Sequence, residues 1–196
     1  MKKINYLSGK EYAELAVKAI ELDKIVYDEK YIGDKSFYKE AHSISPDNFI
    51  FALDAEDNSL AGYLLTTPLD EKVYNEMKKG QKIDTEFIKN EDILPFERNK
   101  FNHIYIYSLV VSPKYQGYGI SKKMIDLFIK NLEDKIRNGF KVKSILADTI
   151  NQKAFSNISR HNFVPIGVSN HKSVLAEKTY TSNMKIQLKQ VHSITI

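Results

Sequence analysis

The stretch SLVVSPKYQGYGISKKMIDLFIKNL, residues 108–132, combines three local signals in one continuous run. It begins with apolar, valine-rich residues typical of a β-strand, which end at Pro113 because proline cannot donate to a neighbouring strand. Gly117 and Gly119 follow, and from Ile120 onward apolar residues recur at helical spacing. The order predicts a strand, a tight glycine turn and an amphipathic helix that begins directly after the turn.

The glycine turn has two interpretations. The first N–H groups of a helix lack partners within the helix, and the helix dipole is positive at that end, so a turn that leads into a helix can bind phosphate. Neither a Walker lysine nor the three-glycine dinucleotide fingerprint is present, and two glycines also suit a plain turn. The six residues that could offer main-chain N–H groups to a pyrophosphate are Gln116, Gly117, Tyr118, Gly119, Ile120 and Ser121.

The chain as a whole, residues 1–196, is predicted to be one mixed α/β (α+β) domain, because 196 residues is the size of a single domain. Helical patterns precede and follow the central stretch, over residues 10–22 and 151–161. Strands are predicted over residues 49–53, 61–67, 103–112, 143–150, 163–169 and 179–188. This order predicts a central mixed sheet of six to seven strands flanked by helices.

Composition excludes several classes of function. The 29 basic and 25 acidic residues are interspersed, so the net charge of +4 gives little support to nucleic-acid binding. The absence of cysteine excludes disulfides, thiolate metal sites and a cysteine nucleophile, and the five histidines show no ligand spacing, so no metal site is expected. No apolar run reaches the roughly 20 residues of a membrane span, which predicts a cytoplasmic protein without a membrane partner.

Residues 108–132 resemble the GNAT acyltransferase superfamily. Its signature is a strand of the form L-x-V-x-P, then R/Q-G-x-G-x-G/A, then an amphipathic helix. Leu109, Val111 and Pro113 match the strand. The loop matches at Gln116, Gly117, Gly119 and Ile120, and a small residue, Ser121, replaces the last Gly or Ala.

A second segment, NQKAFSNISRHNF over residues 151–163, resembles the family pattern N-x-x-A-x-x-x-Y-x-x-x-G-F. Asn151, Ala154 and Phe163 match this pattern. Ile158 stands where the family often has Tyr, and Asn162 stands where it has Gly. Together the two motifs span about a third of the chain, and the order of the other predicted elements is compatible with the family.

The resemblance implies that acetyl-CoA is the co-substrate and lies in a gap between two parallel strands. Main-chain groups of Leu109, Val110 and Val111 would hold the pantetheine arm, and the amides of residues 116–121 would hold the pyrophosphate. Asn151 and Phe155 would lie near the thiol end. The implied reaction is direct attack of an amine on the thioester, which requires a neutral amine and a proton for the departing thiolate.

The catalytic groups of the family are replaced in this chain. Ser108 stands where the family commonly has a Glu on the central strand; serine is not a base at neutral pH and could only order water. Ile158 stands where the family commonly has the Tyr that acts as the general acid. The candidate catalytic residues are therefore Ser108, Tyr107 and Ser159. Tyr105 and His103 are further options, although each strand aromatic is also explained by packing in the sheet.

Two other segments are candidates for the acceptor site. The tyrosine-rich segment near Tyr27, Tyr31 and Tyr38 either roofs that site or packs in the core. The charged segment of residues 70–100 either supplies a base or is solvated surface. The acids of interest in the charged segment are Glu71, Glu76, Glu86, Glu91 and Glu97.

The leading hypothesis is therefore an N-acetyltransferase that acts on an amine of a small molecule or a peptide. One alternative is a non-catalytic acyl-CoA-binding module that has lost its acid and base. Another is a GNAT enzyme that acts on a protein or RNA partner, for which the mild positive charge gives thin support. The sequence leaves open the acceptor, the acyl chain length and whether the protein is a homodimer.

Overall fold

The computed structural model describes residues 2–82, 84–150, 152–170 and 172–180. The strands within this part of the chain are β1 (Ile4–Leu7), β2 (Phe49–Asp54), β3 (Leu60–Leu69), β4 (Phe101–Val111), β5 (Lys141–Thr149), β6 (Val164–Val168) and β7 (Val174–Thr179). The α-helices are α1 (Ala13–Val26), α2 (Lys35–Ile44), α3 (Glu71–Lys78), α4 (Asp84–Phe87), α5 (Ile120–Arg137) and α6 (Gln152–Ser159).

The strands form one mixed sheet in the order β1-β2-β3-β4-β5-β7-β6. Only β4 and β5 pair in parallel, and the other five neighbouring pairs are antiparallel. Two parallel neighbours need a crossover connection, and α5 supplies it. The predicted mixed sheet of six to seven strands with flanking helices is confirmed.

Side chains alternate along each strand, so the sheet has two apolar faces, and helices cover both of them. Leu65 and Tyr105 lie in the core with α1 and α2, whereas their chain neighbours Leu64 and Ile104 lie in the core with α5. The predicted apolar stripe of α5 faces the second core. Its buried members are Ile120, Met124, Ile125, Phe128, Ile129 and Leu132.

A β-bulge interrupts the pairing of β3 with β4. Leu65 pairs with Ser108 and the next residue, Thr66, pairs with Ile106, so Tyr107 is an extra residue in β4. A bulge bends its strand and increases the local twist. As a result Tyr107 and Ser108 both lie on the face of α1 and α2, where the hydroxyl oxygens of Ser108 and Tyr63 are 2.8 Å apart.

Two strands were missed by the prediction. β1 is short, and β7 is hidden by its charged residues Glu177 and Lys178, which are nevertheless buried. Lys78 Nζ donates to Glu177 at 2.7 Å, and Lys178 Nζ donates to the His161 carbonyl at 2.8 Å. These partners come from distant positions, so local hydropathy could not reveal the strand. The strand predicted over residues 179–188 is wrong at its start, because Thr179 ends β7, and residues 181–188 lie outside the described part.

Gly62 in β3 gives a test of the packing between β3 and β4. A Cβ atom on Gly62 would lie 2.6 Å from the main-chain oxygen of Val110, which cannot move without moving the strand. We expect Gly62→Ala to reduce the free energy of unfolding by about 1–3 kcal/mol, as overpacked sites do. Gly167→Ala in β6 is the matched control, because nothing lies within 4 Å of its Cβ position. Equal chemical denaturation midpoints for the two variants would contradict this packing.

Candidate active site

β4 and β5 diverge at their carboxyl ends. Their parallel pairing runs from Phe101 and Lys141 to Ile106 and Ala147 and then stops. Beyond that point β4 stays paired with β3 as far as Val111, while β5 stays paired with β7. The extra residue in β4 falls at the point of divergence and bends the strand there. A cavity of about 510 Å³ lies between the two strands.

The edge of β4 that faces this cavity carries main-chain groups that do not pair with β3. The hydroxyl of Tyr27 donates to the Leu109 carbonyl at 3.4 Å, and Gln116 Nε2 lies 3.5 Å from the Val111 oxygen, so both carbonyls point away from β3. The Val110 oxygen instead points towards Gly62 of β3. Because main-chain direction alternates along a strand, Leu109 and Val111 present their polar groups to the cavity and Val110 does not.

The glycine turn lies at the same end of β4. Gly117 and Gly119 have φ values of 86° and 75°, in the left-handed region that favours glycine. A Cβ atom on either would meet nothing within 4 Å, so the space over the turn is open. Gly119 is the N-cap of α5 and contributes no side-chain cap. The N-terminus of an 18-residue helix therefore borders the cavity, which is the arrangement that binds anions.

Polar side chains complete this wall. Lys122 from α5 and Lys153 from α6 line the cavity and supply positive charge near the turn. Asn157 of α6 donates to the Ser121 hydroxyl at 3.1 Å and so connects the two helices beside the cavity. The open strand edge, the anion-binding turn and the two lysines fit an extended acyl-CoA with its phosphates at the turn.

The opposite wall is acidic and aromatic. Tyr27 and Tyr31 come from the end of α1 and the connection to α2, Asp84 begins α4, and Asp148 lies in β5. The Tyr105 hydroxyl donates to Asp84 Oδ2 at 3.1 Å, and the Thr85 N–H donates to Asp84 Oδ1 at 2.8 Å.

Electrostatics distinguish Asp84 from an ordinary surface acid. Burial raises the pKa of its carboxyl to about 6, although the hydrogen bonds from Thr85 and Tyr105 oppose the rise. The negative charge of Asp148 raises the pKa of Asp84 further. A carboxylate with such a pKa is ionised at neutral pH and can still accept a proton.

A second buried carboxyl lies behind β4. Asp23 of α1 is fully buried and accepts hydrogen bonds from the hydroxyls of Tyr38, at 2.5 Å, and Tyr63. Burial raises the pKa of Asp23 to about 6, and the two tyrosine hydrogen bonds act in the opposite direction. Because the Tyr63 hydroxyl also contacts Ser108, this network fixes β4 where it leaves β5.

The structure brings together most of the cofactor residues named from the sequence. Those that line the cavity are Leu109, Val111, Gln116, Gly117, Gly119, Ile120 and Ser121. Three others do not line it: Val110 is buried on the far face of β4, Tyr118 is 52% exposed, and Phe155 packs against the core under α5. Asn151 lies outside the described residues.

The three candidate catalytic residues, Ser108, Tyr107 and Ser159, do not line the cavity. Tyr107 stacks on Phe37 with ring centroids 4.5 Å apart, on the side of α1 and α2. Ser108 points to the same side because of the bulge. The Ser159 hydroxyl donates to the Ser156 carbonyl within α6. None of these placements brings a proton donor or acceptor to the cavity, and the apolar Ile158 lines it instead.

The charged segment between β3 and β4 contributes a residue that the sequence did not single out. Glu71, Glu76 and Glu97 form ion pairs with the lysines at 143, 79 and 100, so they are surface charges. The acid of this segment that lines the cavity is Asp84. No local signal separates it from its neighbours, since its partners Tyr105 and Asp148 are distant in the chain.

Comparison with known proteins agrees with this fold and cleft. The chain belongs to the acetyltransferase (GNAT) family, whose sequence model matches residues 17–156. No curated protein sequence matches the chain. Within the described residues, no helix is long and apolar enough to cross a membrane, and no group of His, Asp and Glu could hold a metal ion.

Solved structures with low sequence identity share the fold. A chain in the NatC complex bound to Gag peptide and CoA aligns with a TM-score of 0.60 and 16% identity, over 91% of this chain and 99% of that one. Arylalkylamine N-acetyltransferase 2 from Aedes aegypti aligns with a TM-score of 0.57 and 16% identity, over 91% and 100%. The loading GNATL domain of CurA from Lyngbya majuscula gives 0.65 and 11%, over 90% and 98%.

Proposed function

We propose that this protein transfers an acetyl group from acetyl-CoA to an amine acceptor by direct attack of the amine on the thioester. One observation carries the proposal: the open edge of β4, at Leu109 and Val111, leads directly to the glycine turn at the N-terminus of α5. An extended pantetheine arm can pair with such an edge as an added strand, and a pyrophosphate suits the turn. The CoA in the NatC structure supports acyl-CoA as the ligand class.

Direct attack suits the residues available in the cleft. The reaction needs no protein nucleophile, in keeping with the absence of cysteine. It needs a group that removes a proton from the acceptor and donors that hold the thioester carbonyl. Main-chain N–H groups at the open edge of β4 can supply the donors. The acceptor would be a small-molecule or peptide amine, and the cytoplasmic location and the homodimer stay predictions.

A non-catalytic acyl-CoA-binding module is the second candidate. Ile158 favours the binding module. Its buried apolar side chain, 2% exposed, stands where family members often have the Tyr that acts as the general acid. Such a module would keep the strand edge and the glycine turn while giving no transfer.

Thiol release separates the two candidates. The purified protein is mixed with acetyl-CoA and, one at a time, an alkylamine, an arylalkylamine, a diamine and a short peptide with a free N-terminus. A transferase releases CoA thiol faster with at least one amine than with acetyl-CoA alone. If acetyl-CoA raises the melting temperature but no amine accelerates thiol release, the binding module is favoured. No stabilisation by acetyl-CoA would remove both candidates.

A further inference from the structure

Asp84 lies near the point where β4 and β5 begin to diverge, because its carboxylate accepts a hydrogen bond from Tyr105, the residue before Ile106 in β4. It lines the same cavity as Ile106 and Ala147, which form the last pair between the two strands. It is carried by the segment between β3 and β4 and not by the central strand. A carboxylate therefore reaches this part of the cleft from outside the sheet, although the strand position used by the family is Ser108.

The carboxylate of Asp84 is held in place by its neighbours. One oxygen accepts from the Tyr105 hydroxyl and the other from the Thr85 N–H. The Thr85 hydroxyl also donates to the Lys30 carbonyl at 2.8 Å, which attaches α4 to the connection between α1 and α2. An acid fixed in this way needs little rearrangement when a ligand arrives.

The surroundings of Asp84 suit a cation. Among the described residues Asp84 forms no ion pair, and the titratable groups that face it are Asp148 of β5 and the tyrosines at 27, 105 and 107. Asp148 adds negative charge next to Asp84, whereas the lysines of the same cavity, Lys122 and Lys153, are carried by α5 and α6. Tyr27 and Tyr31 line the same cavity, and Lys30 Nζ already lies 4.9 Å from the centre of the Tyr31 ring, so an aromatic ring at this place can contact a cation.

We propose that Asp84 binds the ammonium group of the acceptor and accepts its proton, so that the substrate is a cationic primary amine whose body packs against Tyr27 and Tyr31. This inference rests on the proposed acetyltransferase function. The proton moves from the ammonium nitrogen to the Asp84 carboxylate, and the freed lone pair forms the C–N bond to the acetyl carbon. As the C–S bond breaks, the thiolate takes the second proton from the same nitrogen, and Asp84 returns its proton to solvent.

The ionisation of Asp84 agrees with this role. With a pKa raised to about 6 by burial, the carboxyl is mostly ionised at pH 7 and is a stronger base than an exposed aspartate. The catalytic efficiency, kcat/KM, should therefore fall as the pH falls through about 6. Deprotonation of the free amine adds a separate rise at higher pH.

The test compares Asp84→Asn with wild type and with Glu86→Gln, an exposed acid two residues away on the same short helix. We expect Asp84→Asn to lower kcat/KM by about 10²- to 10⁴-fold at pH 7 and to lose the decline near pH 6. Glu86→Gln should match wild type. Both variants should keep the rise in melting temperature with acetyl-CoA. An Asp84→Asn variant within threefold of wild type, with the same decline near pH 6, would overturn the inference.

A binding measurement keeps the inference separate from the proposed function. With CoA present, 2-phenylethylamine should raise the melting temperature of wild type, whereas the uncharged analogue 2-phenylethanol should not. The effect of the amine should disappear in Asp84→Asn. If wild type binds acetyl-CoA but releases no thiol, the proposed acetyl transfer is refuted. Loss of the amine's stabilising effect in Asp84→Asn would still support the ammonium site. Equal stabilisation of wild type and Asp84→Asn by the amine would refute the site.

Discussion

Gly119→Glu is expected to abolish acetyl-CoA binding. The substitution puts a carboxylate into the open space over the turn, which is the proposed pyrophosphate site, and like charges repel each other in a partly desolvated cleft. At 100 times its dissociation constant, a ligand stabilises the fold by about 2.7 kcal/mol. For wild type this corresponds to a rise of roughly 5–10 °C in melting temperature. The variant should show no rise at the same concentration.

Gly139→Glu is the matched control for this prediction. Gly139 follows the other end of α5, has a φ of 93°, and likewise has nothing within 4 Å of its Cβ position. Both variants thus carry the cost of a non-glycine residue in the left-handed region, about 1–2 kcal/mol. Of these two glycines, Gly119 borders the cavity and Gly139 is not among the residues that line it. If Gly119→Glu and Gly139→Glu respond equally to acetyl-CoA, the turn is not the phosphate site.

Asp23→Asn is expected to change how stability depends on pH. Since burial raises the pKa of Asp23 from 3.8 to about 6, the folded state binds its proton more tightly than the unfolded state does. The stabilisation by the protonated group is full below pH 3.8 and is lost as the pH rises through about 6. The loss amounts to about 3 kcal/mol. The variant should therefore gain stability relative to wild type between pH 4.5 and 7.5.

Thermal unfolding over that pH range measures the effect. About 2 of the 3 kcal/mol are lost between pH 4.5 and 7.5, so the melting temperature of Asp23→Asn minus that of wild type should increase by roughly 4–8 °C over this range. The lowered pKa of His103, caused by burial, acts in the opposite direction near pH 6, but it is common to both proteins and cancels in the difference. Asp57→Asn is the control, because a hydrogen bond from Ser59 lowers the pKa of Asp57 below this range. A difference between Asp23→Asn and wild type that stays constant with pH would contradict the assignment.

The parts of the fold that could be predicted are those encoded locally. The strand, the glycine turn and α5 lie within residues 108–132, where hydropathy and glycine position decide the outcome. The mixed sheet followed from the order of such segments. β7 could not be predicted in the same way, because the partners of its buried charged residues are distant in the chain: Tyr74 and Lys78 for Glu177, and the carbonyl at position 161 for Lys178.

The site was predictable on one side only. The turn and strand edge are main-chain features whose glycine and valine pattern is visible in the sequence. The opposite wall depends on long-range contacts, such as Tyr105 with Asp84 and Tyr63 with Asp23. The bulge at Tyr107 is also invisible locally, since it is defined by the register with β3. It turns Ser108 away from the cavity, so alignment with a family pattern alone could not give its orientation.

The most direct test of the central claim is a crystal structure of the protein with CoA. We expect the pantetheine arm to lie between β4 and β5, with hydrogen bonds to main-chain groups of Leu109 and Val111, and the pyrophosphate to lie on the amides of residues 117–121. CoA bound instead at the separate cavity lined by Asn48, Phe96 and Lys135, or absent from the cleft at saturating concentration, would contradict it.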